Sequence, residues 1–435
     1  MADDKEVEKT IAEDLVVTKY KLAGQIVNRV LEQVIAKCVP DASAREICEF
    51  GDNLLLEETS KVFKKEKDSK KGIAFSTCVS VNNCICHFSP IPSEADYVLK
   101  QGDLAKIDLG AHIDGFIAVV AHTVVVGGGE ASGRAADVLL AAHNASEAAL
   151  RLLRPGNENY AVTDVVQKIS AEYGCKPIEG MLSHQLKQFR IDGEKSIIQN
   201  PSEAQRKEHE KASFETYEGR EMDTRCTIYK KTDEIYQLKL KASRMFYSEV
   251  RNKHGSMPFN LRSFDKETSA RLGVVECVNH KLIEPFQVLY ERPGEIVAQF
   301  KFTVLLLPSG THRITGLPFD KSQCKTERII KDPELNALLN SSAKSNKKKK
   351  KKTGAEEPME SKLVVTNSNS KLSMNYTQVF IELMTVYLYE IGKLAAKLLS
   401  FMIRPILFRN IVHKNLIYFM TVQLFRMTLS FFHVQ

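Results

Sequence analysis

Asp108 stands between Ile107 and Leu109, inside an apolar run of the kind that folds into the interior. A buried carboxylate is costly unless a cation accompanies it, so Asp108 must have a partner. Three further stretches can converge on it: Asn82-Asn83-Cys84-Ile85-Cys86-His87, Met181-Leu182-Ser183-His184 and Ala298-Gln299-Phe300-Lys301-Phe302-Thr303. They offer two chemistries. Carboxylates with an imidazole are the donor set of a dinuclear metal centre, where two dications repel unless several anions lie between and around them. A carboxylate with Lys301 instead makes a buried ion pair, and His184 is then a structural histidine satisfied by backbone. Asp114 shares strand parity with Asp108, which leaves open a two-carboxylate site at the turn.

A hairpin carries Asp108: two apolar strands, Leu104–Leu109 and Phe116–Val126, joined across Ala111-His112-Ile113-Asp114-Gly115, with Asp114-Gly115 as the bend. Before it, Leu22, Ile26, Val30 and Val34 predict a helix over Thr18–Cys38 that ends near Pro40, and Asp41 can cap a second helix from Ala42 to about Lys65. Ile73–His87 alternates like strands. After the hairpin, a helix opens at Ser132 or Gly133 and stops at Pro155-Gly156, and Thr163 caps another that Gly174 closes. Thr227–Ile283 is charged and helical, with Phe246, Val250 and Leu272, Val275 at helical spacings. Gln287–Tyr290 and Val297–Leu307 return to strands, and alternation puts Gln299, Lys301 and Thr303 on one face, opposite Phe300 and Phe302. Phe214–Cys226 has little apolar content and no alternation.

The segment containing Asp108 (Lys106-Ile107-Asp108-Leu109-Gly110) and the three converging stretches resemble the signature segments of the methionine aminopeptidase family in its type 2 form. The match, from about Thr10 to Ala343, is closest to the non-catalytic relatives, the proliferation-associated, ErbB-receptor-binding proteins. It implies an α/β pita-bread fold over residues 1–340, with a helical type 2 insertion at about 227–283. The family's strand over 214–226, which carries a metal-ligand acid in the central sheet, looks shortened. The family uses five ligands: Asp, Asp, His, Glu, Glu. Asp108 matches the first and His184 the histidine. Val119 stands at the second Asp, the first Glu falls in the shortened stretch, and Lys301 stands at the last. Of two substrate-side histidines, one survives as His87 and the other is Asp192. The resemblance therefore implies a pseudoenzyme with vestigial His87, Asp108 and His184, without a metal or other cofactor.

The net charge of +7 belongs to the tail. From Ser341 onward fifteen Lys and Arg face five Glu, or +10, which leaves −3 for residues 1–340. Lys347, Lys348, Lys349, Lys350, Lys351 and Lys352 form a run that repels itself and stays disordered unless something acidic binds it, so 341–370 reads as a linker and the run as an RNA-binding element. Leu335, Leu338 and Leu339 give an LxxLL pattern that can fill a groove on a partner or dock on its own domain. Residues 371–435 are apolar and basic without family counterpart. No charge-free window there reaches the roughly 18 residues of a membrane span; Asn415–Gln435 comes closest to an anchor. Nine cysteines without a CxxC pair read as reduced thiols, and the charged N-terminus as that of an intracellular chain.

By resemblance, the expected partners are RNA, ribosomes, and transcriptional corepressor or receptor proteins. The roles implied are ribosomal RNA processing, translation control and growth-linked transcriptional repression, in cytoplasm and nucleus or nucleolus. The alternatives are a metal-dependent aminopeptidase, which the ligand count disfavours, and a degenerate isoform without a stable fold.

Overall fold

Helix α1 (Asp14–Ile35) turns Ile26, Val27, Val30, Leu31 and Val34 inward, all fully buried. It begins and ends earlier than the apolar spacing alone predicts. Gly24 is required where the backbone of Ile314 crosses the helix: a Cβ there would lie 2.6 Å from the Ile314 carbonyl oxygen. In the computed structural model the described residues are 9–66, 68–154, 156–202, 205 and 224–343, with the backbone alone of 220–221, 380–384 and 386–388.

Helix α2 (Ala44–Ser60) is capped by Ser43, whose side chain accepts from the Glu46 N–H at 3.1 Å. Asp41, the expected cap, instead takes a left-handed φ of 66° outside the helix. Strands β1 (Lys71–Val81) and β2 (Cys84–Cys86) follow, then the hairpin of β3 (Leu104–Ile113) and β4 (Phe116–Val125). Ile113 pairs with Phe116, so the loop is only Asp114-Gly115, at φ 54° and 79°. Two successive positive values mark the tight hairpin turn whose twist matches the strands. The strand therefore runs on through Ala111–Ile113, which the sequence pattern placed in the turn.

Next come β5 (Ala131–Ser132), α3 (Arg134–Leu152), α4 (Asn159–Glu172), β6 (Cys175–Pro177), β7 (Leu182–His184), β8 (Ser196–Ile198) and β9 (Arg220–Glu221). Residues 227–285 hold β10 (Ile228–Lys231), α5 (Lys241–Lys253), β11 (Phe259–Asn260), α6 (Glu267–Asn279) and β12 (Ile283–Pro285). This region is thus two helices on a three-stranded sheet, β11-β10-β12, rather than helical throughout. Leu272 and Val275, expected to pack inward, are exposed. Gly273 faces in instead, and a Cβ there would meet Phe246 Cβ at 2.4 Å; Ala270, Val274 and Cys277 complete that stripe. A buried ion pair, Arg262 Nε to Asp52 Oδ2 at 2.8 Å, ties this region to α2.

The chain then returns through β13 (Leu289–Tyr290), β14 (Gln299–Leu307), β15 (Gly310–Arg313), β16 (Cys324–Lys325), α7 (Pro333–Asn340), β17 (Phe380–Met384) and β18 (Val386–Leu388). The principal sheet runs β1-β3-β4-β14-β15, with β17 also paired to β14. Its outer face is covered by helices. Ile107, Leu109 and Val120 pack with α1 and α2, while Phe300, Phe302 and Val304 pack with α3 and α4. Strand alternation leaves Asp108, Val119, Lys301 and Thr303 on the inner face.

Candidate functional site

Cross-strand register sets Cys78 of β1, Asp108 of β3, Ala121 of β4 and Lys301 of β14 in one row across the inner face. Opposed residues project to the same side, and Ala121 carries only a methyl, so the Lys301 side chain passes over it toward Asp108. Lys301 Nζ donates to Asp108 Oδ2 at 2.6 Å, with each side chain 4% exposed. The ammonium also lies 5.2 Å from the centroid of the Phe75 ring, a cation–π contact that no sequence pattern signals. Burial and then the Asp108 charge push the Cys78 thiol well above its usual range, which keeps it protonated beside the pair.

A second row, Phe75, Gly110 and Val119, lies alongside the first. Thr303 Oγ1 accepts from the Val119 N–H and donates to its carbonyl, both at 3.0 Å, and Thr315 Oγ1 donates to the same carbonyl at 2.7 Å. Backbone and side chain at 119 are thus both held. The isopropyl group packs with Phe75, Leu186, Ile191 and Met257, and a Cβ at Gly110 would stand 2.5 Å from Val119 Cγ1. The position of the family's second aspartate is a filled apolar contact.

The histidines lie apart from one another in role. His184 ends β7, half-buried, with Nδ1 3.4 Å from the Gln185 carbonyl. His87 takes a φ of 64°, holds the Gln287 carbonyl through Nδ1 at 2.8 Å, and packs against Phe75 and Phe286. Asp192 pairs with Lys230, which also holds Glu284 at 2.6 Å. Burial pulls the Lys230 ammonium down, but hydrogen bonds to these two carboxylates outweigh it and leave its pKa raised. Asp114 sits at the turn with Lys19 at 2.9 Å, so the two carboxylates of like strand parity each hold a separate lysine. Among the described residues no group of three or more His, Cys, Asp and Glu is arranged to hold a metal ion.

The stretch that looked shortened contributes β9, two residues paired with β13, while 206–219 and 222–223 lie outside the described residues. Helix α7 is capped by Asp332, whose side chain accepts from Glu334 and Leu335 N–H groups, with Pro333 in the first turn. Leu335 is buried against α3, and Leu338 and Leu339 pack half-buried on the same cluster. A partner that takes all three leucines must first undock the helix. Lys347–Lys352 and Asn415–Gln435 lie outside the described residues. Among the described residues no helix is long and apolar enough to cross a membrane. All nine cysteines are free thiols.

Comparison with known proteins defines the class. The model of metallopeptidase family M24 matches residues 18–236, and the chain belongs to that family. Within it the chain is similar to ErbB-3 binding protein 1 of Solanum tuberosum, 47% identical over an aligned length of 358 that covers 78% of this chain and 91% of the relative. It is 43% identical to the curved DNA-binding protein of Schizosaccharomyces pombe, over 78% of this chain and 93% of that one. Among solved structures, a thermophilic Arx1 matches with a TM-score of 0.69 at 31% identity, over 77% of this chain and all of that one. The fold is the pita-bread fold of that family.

Proposed function

We propose that this chain is a non-catalytic family M24 protein that binds RNA and proteins. It would associate with ribosomes or other ribonucleoproteins, act in ribosomal RNA processing, translation control and growth-linked transcriptional repression, and reside in cytoplasm and nucleus or nucleolus. The observation that carries this reading is the Lys301–Asp108 pair. At the place of the last family glutamate stands an ammonium whose charge already neutralises Asp108, the acid at the place of the first family aspartate. Two dications would add to that positive charge instead of being offset by carboxylates. Binding is supported by the lysine run 347–352 and by relatives whose names record DNA binding and ErbB-3 binding.

The test is hydrolysis of a Met-Ala-Ser peptide with added manganese or cobalt, alongside metal content after dialysis. No turnover and no retained metal are expected. Turnover, or two metal ions held per chain, overturns the reading.

A further inference from the structure

Strand β14 pairs with β15 and β17 along different stretches of its length. From Val304 onward it pairs with β15, and from Gln299 to Thr303 with β17, antiparallel, through Gln299↔Met384, Lys301↔Glu382 and Thr303↔Phe380. The chain continues directly into β18, which pairs with β6 through Val386↔Pro177 and Leu388↔Cys175. One stretch thus closes two edges, and β17 also runs beside β7, the strand that ends in His184. Its sequence, Phe380-Ile381-Glu382-Leu383-Met384-Thr385-Val386-Tyr387-Leu388, has the β-branched and aromatic content of a strand.

An exposed edge is a liability, because a row of backbone N–H and C=O groups is left for any other strand to pair with. The 214–226 region, which the family resemblance expects to supply a central-sheet strand, forms β9 among its described residues, and β9 pairs with β13 rather than β14. We propose that residues 380–388 are a substitute sheet strand. The tail docks on its own chain at β14 and β6, takes the place left by the shortened segment, and extends the Asp108–Ala121–Lys301 row with Glu382 at the register position opposite Lys301. Docking within one chain is favoured over exchange with a second copy because the strand and its partners β14 and β6 are covalently joined, which makes the pairing intramolecular.

The experiment uses the full chain. Ile381→Pro with Glu382→Pro removes two successive N–H groups, one of which must face β14, since successive groups point to opposite edges. By hydrogen exchange, those amides of 299–303 that point away from β4 should lose protection at least about tenfold, while 304–307 and the β3–β4 hairpin keep theirs. Asn367→Pro with Ser368→Pro in the linker should change nothing. Unchanged protection in the 381/382 variant overturns the proposal.

Because that variant can lose its fold altogether, a second measurement uses a cross-link. Gln299→Cys with Met384→Cys should form a disulfide within one chain, and the off-register pair Gln299→Cys with Glu382→Cys should not. No disulfide, or one that joins two chains, overturns the proposal.

Discussion

Lys301 and Asp108 meet across an intervening strand, 2.6 Å apart, because Ala121 between them is too small to separate them. Each charge is tolerable in the interior only while the other is present. Lys301→Ala should therefore cost about 3–5 kcal/mol, since it leaves a buried carboxylate uncompensated. Asp108→Leu combined with Lys301→Met should recover most of that loss, because a well-packed apolar pair is often as stable as an ion pair. Urea unfolding midpoints of the two variants and the parent check both expectations; equal midpoints for Lys301→Ala and the parent would mean the pair is solvated.

Much of this arrangement was legible from the chain itself. A carboxylate flanked by Ile107 and Leu109 demands a cation, and alternation in Gln299–Thr303 puts Lys301 on the inner face, so the pair follows from local pattern and electrostatics. The path over Ala121 does not follow, because register between distant strands depends on the whole sheet. Helix α6 shows a different limit: Leu272 and Val275 are more apolar than Gly273, yet the glycine faces inward because only it clears Phe246. Shape, not hydrophobicity, chose that face. The pairing of the tail with β14 was illegible for the same reason as the register, since nothing in 371–435 names its partner strand.

Leu335 should matter more to the fold than its two neighbours in the LxxLL pattern. It is 3% exposed in the cluster beneath α3, so Leu335→Ala should cost about 2–5 kcal/mol. Leu338 and Leu339 are half-buried and should each cost less when truncated. Thermal unfolding of the three single variants gives the order directly, and a Leu338 or Leu339 loss equal to that of Leu335 would contradict the packing.

Acid should destabilise the protein well before its carboxylates titrate. Burial lowers His112 and His122 from 6.5 to about 4, and burial with the nearby Lys321 charge lowers His143 to about 3. His112 Nδ1 also accepts from the Gly115 N–H at the hairpin turn, which a proton there would break. A base with a depressed folded pKa contributes stability that is complete above the unfolded value and is lost as pH falls toward the folded one. The window is therefore about pH 6.5 to 4, with a loss at pH 5 of about 2 kcal/mol per histidine. Replacing His122, which packs edge-on to Phe300, with Phe should flatten the pH dependence of the urea midpoint by that one share.

RNA binding should depend on the six lysines 347–352. If all six contact phosphates of a single strand, log affinity should fall against log salt with a slope of about −4, from roughly 0.7 per neutralised charge. Replacing the six with Gln should flatten that slope and reduce nucleolar accumulation. Fluorescence anisotropy with a mixed-sequence single-stranded oligonucleotide across a salt series measures it, and an unchanged slope would move the site to the folded body.

Returning acids to two positions should not restore a metal centre. Val119→Asp would set a carboxylate into a contact lined by Phe75, Leu186, Ile191 and Met257, where its burial is costly, and Lys301→Glu would place a second acid within reach of Asp108 after removing its cation. With like charges gathered there, the double variant should be less stable than the parent, and less so as pH falls and one acid takes a proton. Added manganese or cobalt could offset that repulsion only with further carboxylate oxygens around it, and by the family resemblance the first glutamate falls in the stretch 214–226, whose described residues form the two-residue strand β9. The expected outcome is therefore no hydrolysis of Met-Ala-Ser peptide and fewer than two metal ions per chain by elemental analysis. Turnover by the double variant would mean that Asp108, the two new acids and His184 suffice.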